Sequence, residues 1–153
     1  MASIMVLNGP NLNLLGTREP AQYGYETLAD VEQMCEQAAA ALGYQVECHQ
    51  SNHEGALIDW IHQAGQKVKS GELLGVVFNP GAYTHTSIAL HDAIKGADVP
   101  VMEVHISNVH ARESFRHHSY VSPVASGIVV GMGVQGYVLA IQGLVHKYQA
   151  KGA

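Results

Sequence analysis

Glu103 and His105 lie two residues apart in the run Val99–Ser107, VPVMEVHIS, and two is the period of a β-strand. Both side chains, with Val101, are therefore expected on one face. Central parallel strands are apolar along their length, and an unpaired buried carboxylate is expensive. The imidazole is its natural partner. A carboxylate that accepts one ring N–H fixes the tautomer and frees the other nitrogen for acid or base work; a purely structural pair at a sheet end has the same spacing. A second group lies in Gly16–Glu26, GTREPAQYGYE, where Arg18 and Tyr23 occupy a loop longer and more polar than a simple connection needs. Tyrosine is about a thousandth ionised at neutral pH, and a nearby guanidinium favours the phenolate by roughly 1–3 pK units. Such a loop is a lid carrying a base, or a surface loop with a solvated tyrosine.

Two further stretches supply binding groups. In Asn79–Ser87, NPGAYTHTS, an amide, a Pro-Gly corner and five hydrogen-bonding side chains follow an apolar run. In Ser107–Ser119, SNVHARESFRHHS, Asn108 reads as an N-cap, whose free N–H groups favour an anion. Arg112 and Arg116, four apart, share a face of the helix expected over 109–117 and either grip an anionic or hydroxylated ligand or stay solvated. His85 and Asp92 are two helical turns apart, roughly 10 Å. That is too far for both to serve one small ligand, so one of them is expected to serve a neighbouring subunit.

The elements that position these groups alternate. Ile4–Leu7 reads as a strand closed by Asn8-Gly9-Pro10. Residues 26–42 follow with Leu28, Val31, Met34, Cys35, Ala38 and Leu42 at helical spacing and Gly43 as a stop. Strands are expected at Tyr44–Cys48, Leu73–Phe78, Val99–His105 and Gly127–Val130. Further helices are expected from the capping-box pattern Ser51-x-x-Glu54, over Thr86–Lys95 with Gly96 as the stop, and over Val134–Gln149. This alternation predicts an α/β, flavodoxin-like three-layer sandwich with a five-stranded parallel sheet. In such sheets ligands bind beyond the carboxyl ends of the strands. Three of those ends are polar: Asn8–Asn13, Asn79–Ser87 and His105–Asn108.

Composition narrows the function. The 153 residues suit a single catalytic domain spanning 1–153, 47% hydrophobic and 14% charged. A net charge of −5 with only eight Lys and Arg gives no reason to expect nucleic acid or an anionic membrane. The amino-terminal apolar run is too short for a signal or membrane segment, so a cytoplasmic location is expected. Cys35 and Cys48 fit no metal or redox spacing and read as reduced, buried thiols. Gly131-x-Gly133-x-x-Gly136 follows a strand, but the dinucleotide motif needs an acidic residue about 20 positions on. None of residues 137–153 is acidic, so close strand–helix packing explains these glycines. The ten histidines show no metal-ligand spacing. No lysine (67, 69, 95, 147 or 151) falls at a strand's carboxyl end, which leaves an imine mechanism without a candidate.

Together, LNGPNLNLLGTREPAQYG, FNPGAYTHTSIALHDAI and EVHISNVHARESFRHHSY resemble the type II 3-dehydroquinate dehydratases, in order and at consistent spacing. The resemblance implies elimination of water from 3-dehydroquinate to give 3-dehydroshikimate through an enolate, in the shikimate pathway, without a cofactor or metal. It implies that Tyr23 is the base and Arg18 its electrostatic partner. Asn11 would position the water that holds the enolate, and His105, oriented by Glu103, would be the acid. Ile106 and Ser107 would bind the substrate carboxylate, Asn79, His85 and Arg116 the ring hydroxyls, and Asp92 would come from an adjacent subunit of a dodecamer built from trimers. The residues alone also admit a flavodoxin-like module holding flavin or a nucleotide, or an isomerase or hydrolase on the same scaffold.

Overall fold

A computed structural model describes residues 2–152; Met1 and Ala153, the ends of the expected domain, lie outside the described residues. Five parallel strands form one sheet: β1 (Ser3–Asn8), β2 (Gln45–Gln50), β3 (Leu73–Asn79), β4 (Val101–His105) and β5 (Gly127–Val130). Their spatial order is β2-β1-β3-β4-β5, the doubly wound order of flavodoxin-like sheets. The helices are α1 (Pro20–Tyr23), α2 (Leu28–Ala41), α3 (Glu54–Lys69), α4 (Ile88–Ala97) and α5 (Gln135–Gly152).

Strand alternation divides the core into two layers. Ile4, Val6, Leu74, Val77 and Val104 meet α2 and α5 through Val31, Cys35, Tyr137 and Ile141. On the other face Met5, Leu7, Val76, Phe78 and Val101 meet α3 and α4 through Leu57, Ile61, Leu90 and Ile94. Each fully buried Leu, Ile or Val contributes about 1.5–3 kcal/mol of transfer free energy. Cys35 is buried and Cys48 half-buried, both as free thiols, and burial pushes both up to about 12. No described helix is long and apolar enough to cross a membrane.

Several boundaries depart from expectation. Ser51 does not cap α3: its N–H still bonds Asn8 O, extending the strand, and its hydroxyl accepts from His53 N. His53 becomes the N-cap without a side-chain bond. The capping box forms instead at α2, between Thr27 and Asp30. Helix α4 starts later than expected, with Ser87 accepting from Leu90 N, and runs through Gly96 to a left-handed Asp98. The helix expected over 109–117 is two turns of 3-10 helix, Val109–Ala111 and Ser114–Arg116. Between them Arg112 is extended. Its carbonyl accepts from the His117 ring, while Arg116 N bonds Glu113 O. Arg112 and Arg116 therefore share no helix face.

Candidate active site

The strand ends meet through two dovetailed turns. Asn8 pairs in register with Asn79, and Gly9 N donates to Asn79 O at 2.8 Å. A Cβ on Gly9 would lie 2.4 Å from Pro80 O, and Gly81, at φ +60, would place one 3.1 Å from Pro10 O. Only glycine admits this approach. Asn11 is itself left-handed at φ 70, and its N–H is held by Asn52 Oδ1 at 3.0 Å.

Beneath the turns lies a buried amide–phenol relay. Gly81 N donates to Asn79 Oδ1, Asn79 Nδ2 donates to Tyr137 Oη at 2.9 Å, and Tyr137 donates to Asn8 Oδ1 at 2.6 Å. Burial pushes the Tyr137 phenol above its ordinary range, so it keeps the proton it donates. Asn79 is thus fixed with its amide oxygen already committed.

Beyond β1, β3 and β4 is a cavity of about 230 Å³ lined by Asn11, Arg18, Tyr23, Asn79, His85, His105, Ile106, Ser107, Arg112 and Arg116, among others. It is smaller than the ~300–1,000 Å³ of pockets for drug-sized ligands, which suits a compact metabolite better than a flavin. A larger cavity of about 860 Å³ opens between the amino ends of β3 and β4 and the end of α5. Parallel sheets do not place their chemistry there.

The dyad forms as the spacing predicts. Glu103 is 1% exposed and accepts from His105 Nε2 at 2.5 Å; Nδ1 has no partner among the described residues. Burial, the largest influence, would raise the Glu103 carboxyl, but the His105 hydrogen bond and charge, with Ser122 and Ser119, hold it below the usual 4.5. Glu103 stands behind His105, in a second cavity of about 370 Å³ that shares His85, His105 and Arg116 with the first. His85 donates Nδ1–H to His118 O at 2.8 Å. Burial is the main influence holding His85 below its usual 6.5.

The loop that carries Arg18 and Tyr23 sits against this wall. Arg18 lies over the Tyr23 ring at 4.6 Å. Arg112 Nη1 donates to Tyr23 Oη at 2.8 Å and to Ser107 Oγ at 3.2 Å. The arginine on the phenolic oxygen is therefore Arg112, which the sequence marked only as one of two cations on a helix face. Arg116 pairs with Glu113 at 2.7 Å. Asp92 is exposed and lines neither cavity. His85 closes a 3-10 turn ahead of α4 and shares no helix with Asp92. Tyr137, Asn52, Ser119 and Ser122 went unmarked, although a polar ring within the apolar stripe of α5 was a readable signal for Tyr137.

The family model for class II dehydroquinase matches residues 2–145. A Marinomonas 3-dehydroquinate dehydratase is 81% identical over 98% of this chain and 100% of its own. One from Variovorax paradoxus is 73% identical over 95% and 99%. The crystal structure of type II dehydroquinase from Butyrivibrio crossotus superposes with a TM-score of 0.89 at 46% identity, covering 94% of this chain and 97% of that one. With this agreement along its whole length, the chain belongs to the class II dehydroquinase family.

Proposed function

We propose that the chain dehydrates 3-dehydroquinate to 3-dehydroshikimate in the shikimate pathway, with Tyr23 and His105 as base and acid. The observation that carries the roles is that both side chains line one small cavity. Tyr23 Oη takes the proton from the carbon beside the ketone, and its electron pair becomes the enolate. The Arg112 N–H at 2.8 Å and Arg18 over the ring stabilise negative charge on the phenol. Asn11, at the turn held by Asn52, positions the water that holds the enolate oxygen. The enolate then collapses, the carbon–oxygen bond on the next carbon breaks, and His105 delivers a proton so that hydroxide leaves as water. Tyr23 releases its proton to solvent and His105 regains one, so the net change is substrate to product plus water.

Ile106 and Ser107 bind the substrate carboxylate, Ser107 beside the cationic Arg112. Asn79, His85 and Arg116 meet ring hydroxyls. Asp92 serves an adjacent subunit, which its exposure and distance from its own cavity support. Exposed Ile128 on edge strand β5, with Ile88 and Phe115, supports burial against further copies, as a dodecamer of trimers. The mechanism needs no cofactor, and a cytoplasmic location suits a biosynthetic family.

The test is ultraviolet enone absorbance with 3-dehydroquinate. Wild type should form product, and His105→Ala, intact in size, should not. An inactive wild type refutes the function, and an active His105→Ala refutes the acid.

A further inference from the structure

The carboxylate behind His105 is gripped by more than the ring. Glu103 Oε1 accepts from Ser122 Oγ at 2.6 Å, and Oε2 lies 3.0 Å from Thr84 Oγ1 and 2.9 Å from Ser119 Oγ. The directions of these bonds follow from counting protons. Ser119 Oγ accepts from both Val121 N and Ser122 N at 3.1 Å, which uses its two lone pairs. Thr84, 2.6 Å from Ser119 Oγ, therefore turns its proton to Glu103. Ser119 keeps one proton, which it offers to Oε2 or to Thr84.

Apolar Phe78 and Ile128 flank Glu103 in register on β3 and β5. The titratable and cationic groups facing it are His105 on its own strand, His85 from the turn before α4, and His110, His117, His118 and Arg116 around the shared cavity. None of those other than His105 bonds the carboxylate. Among the described residues Ser122 alone holds Oε1.

We propose that Ser122, with Ser119 and Thr84, forms a hydroxyl cradle that keeps Glu103 charged and in plane with the His105 ring, making Ser122 a positioning residue for the acid. This rests on the reading of His105 as the acid. A carboxylate accepting several hydrogen bonds stays ionised, and one that keeps its orientation keeps the ring's free Nδ1 on the leaving group. A merely structural Ser122 would instead pin the neighbouring segment that carries Arg116, and its loss would appear in KM.

The experiment compares Ser122→Ala with Ser122→Thr, which retains the hydroxyl. Infrared difference spectra against Glu103→Gln follow the protonated carboxyl band of Glu103 as pH falls. Steady-state kinetics with 3-dehydroquinate follow kcat and KM separately. In Ser122→Ala the titration midpoint should rise by about one pH unit, as expected from losing one charge-assisted bond. There kcat should fall roughly tenfold with KM little changed, and Ser122→Thr should restore both. An unmoved midpoint in folded Ser122→Ala, or a loss confined to KM, overturns the proposal. If Ser122→Ala fails to fold, Thr84→Val removes a donor from Oε2 and should move the midpoint the same way. Because the infrared arm needs no turnover, an inactive wild type would refute the function and still leave the cradle decided by the midpoint.

Discussion

Replacing Tyr137 by Phe removes one oxygen from the centre of the fold and tests the buried relay directly. Tyr137 is 0% exposed, and its hydroxyl both accepts from Asn79 Nδ2 and donates to Asn8 Oδ1. Asn8 Nδ2 already has no partner among the described residues, so the substitution strips Asn8 of its last side-chain bond there and leaves an Asn79 N–H unpaired. Each orphaned buried polar group costs about 1–3 kcal/mol, and the ring remains, so the loss should be ~2–6 kcal/mol. With a urea m-value of about 2–3 kcal/mol/M, the midpoint should fall by roughly 0.7–3 M without a change in m. Tyr148→Phe, at 46% exposure, is the control and should not move it. Adding Asn8→Leu to Tyr137→Phe should recover part of the loss, since removing both partners is milder than stranding one. A Tyr137→Phe midpoint within about 0.2 M of wild type, well below the loss worked out above, would refute the reasoning.

Arg112→Ala should lower kcat/KM by about 10–150-fold, the value of a charge-assisted bond of ~1.5–3 kcal/mol, and Arg112→Lys should recover part of it, because both bonds leave one nitrogen and an ammonium keeps the charge; a near-normal rate of Arg112→Ala in steady-state assays would remove Arg112 from the chemistry. Gly9→Ala would drive a Cβ to 2.4 Å from Pro80 O and part the two turns, lowering both the thermal midpoint and activity; wild-type values would show that the turns yield without consequence. The Glu103 carboxyl titrates below its ordinary 4.5 when folded, so the stability it contributes is present above that pH and lost as pH falls through the depressed value. Urea midpoints should therefore drop on acidification below 4.5 in wild type and drop less in Glu103→Gln; equal slopes would contradict the linkage.

Strand-end chemistry was legible where it depends on period alone. Glu103 and His105 face one side because successive strand residues alternate, whatever the rest of the chain does. The ends of the apolar runs put Asn8 and Asn79 at polar strand ends, and the alternation of elements led to the sheet that is found; that these two strands are neighbours is a property of the fold. The loop of residues 106–126 was not legible. Its path is set by bonds to distant groups, such as His85 to His118 O and His91 to Tyr120 O, and these outweigh the helix propensity of Val109–His117. The capping box at Ser51 failed for a related reason: pairing with Asn8 kept that residue in the strand.

By itself, the sequence determined the five strands, the two apolar faces, the polar strand ends and the Glu103–His105 pair, because each is a matter of spacing between neighbours. Only the tertiary structure decided that Arg112 bonds Tyr23, 89 positions away, and that Tyr137 joins Asn8 across 129. It likewise decided that Ser119 and Ser122 converge on Glu103. Contacts at such separations depend on how the sheet twists and where its loops close over it, and no local period encodes that.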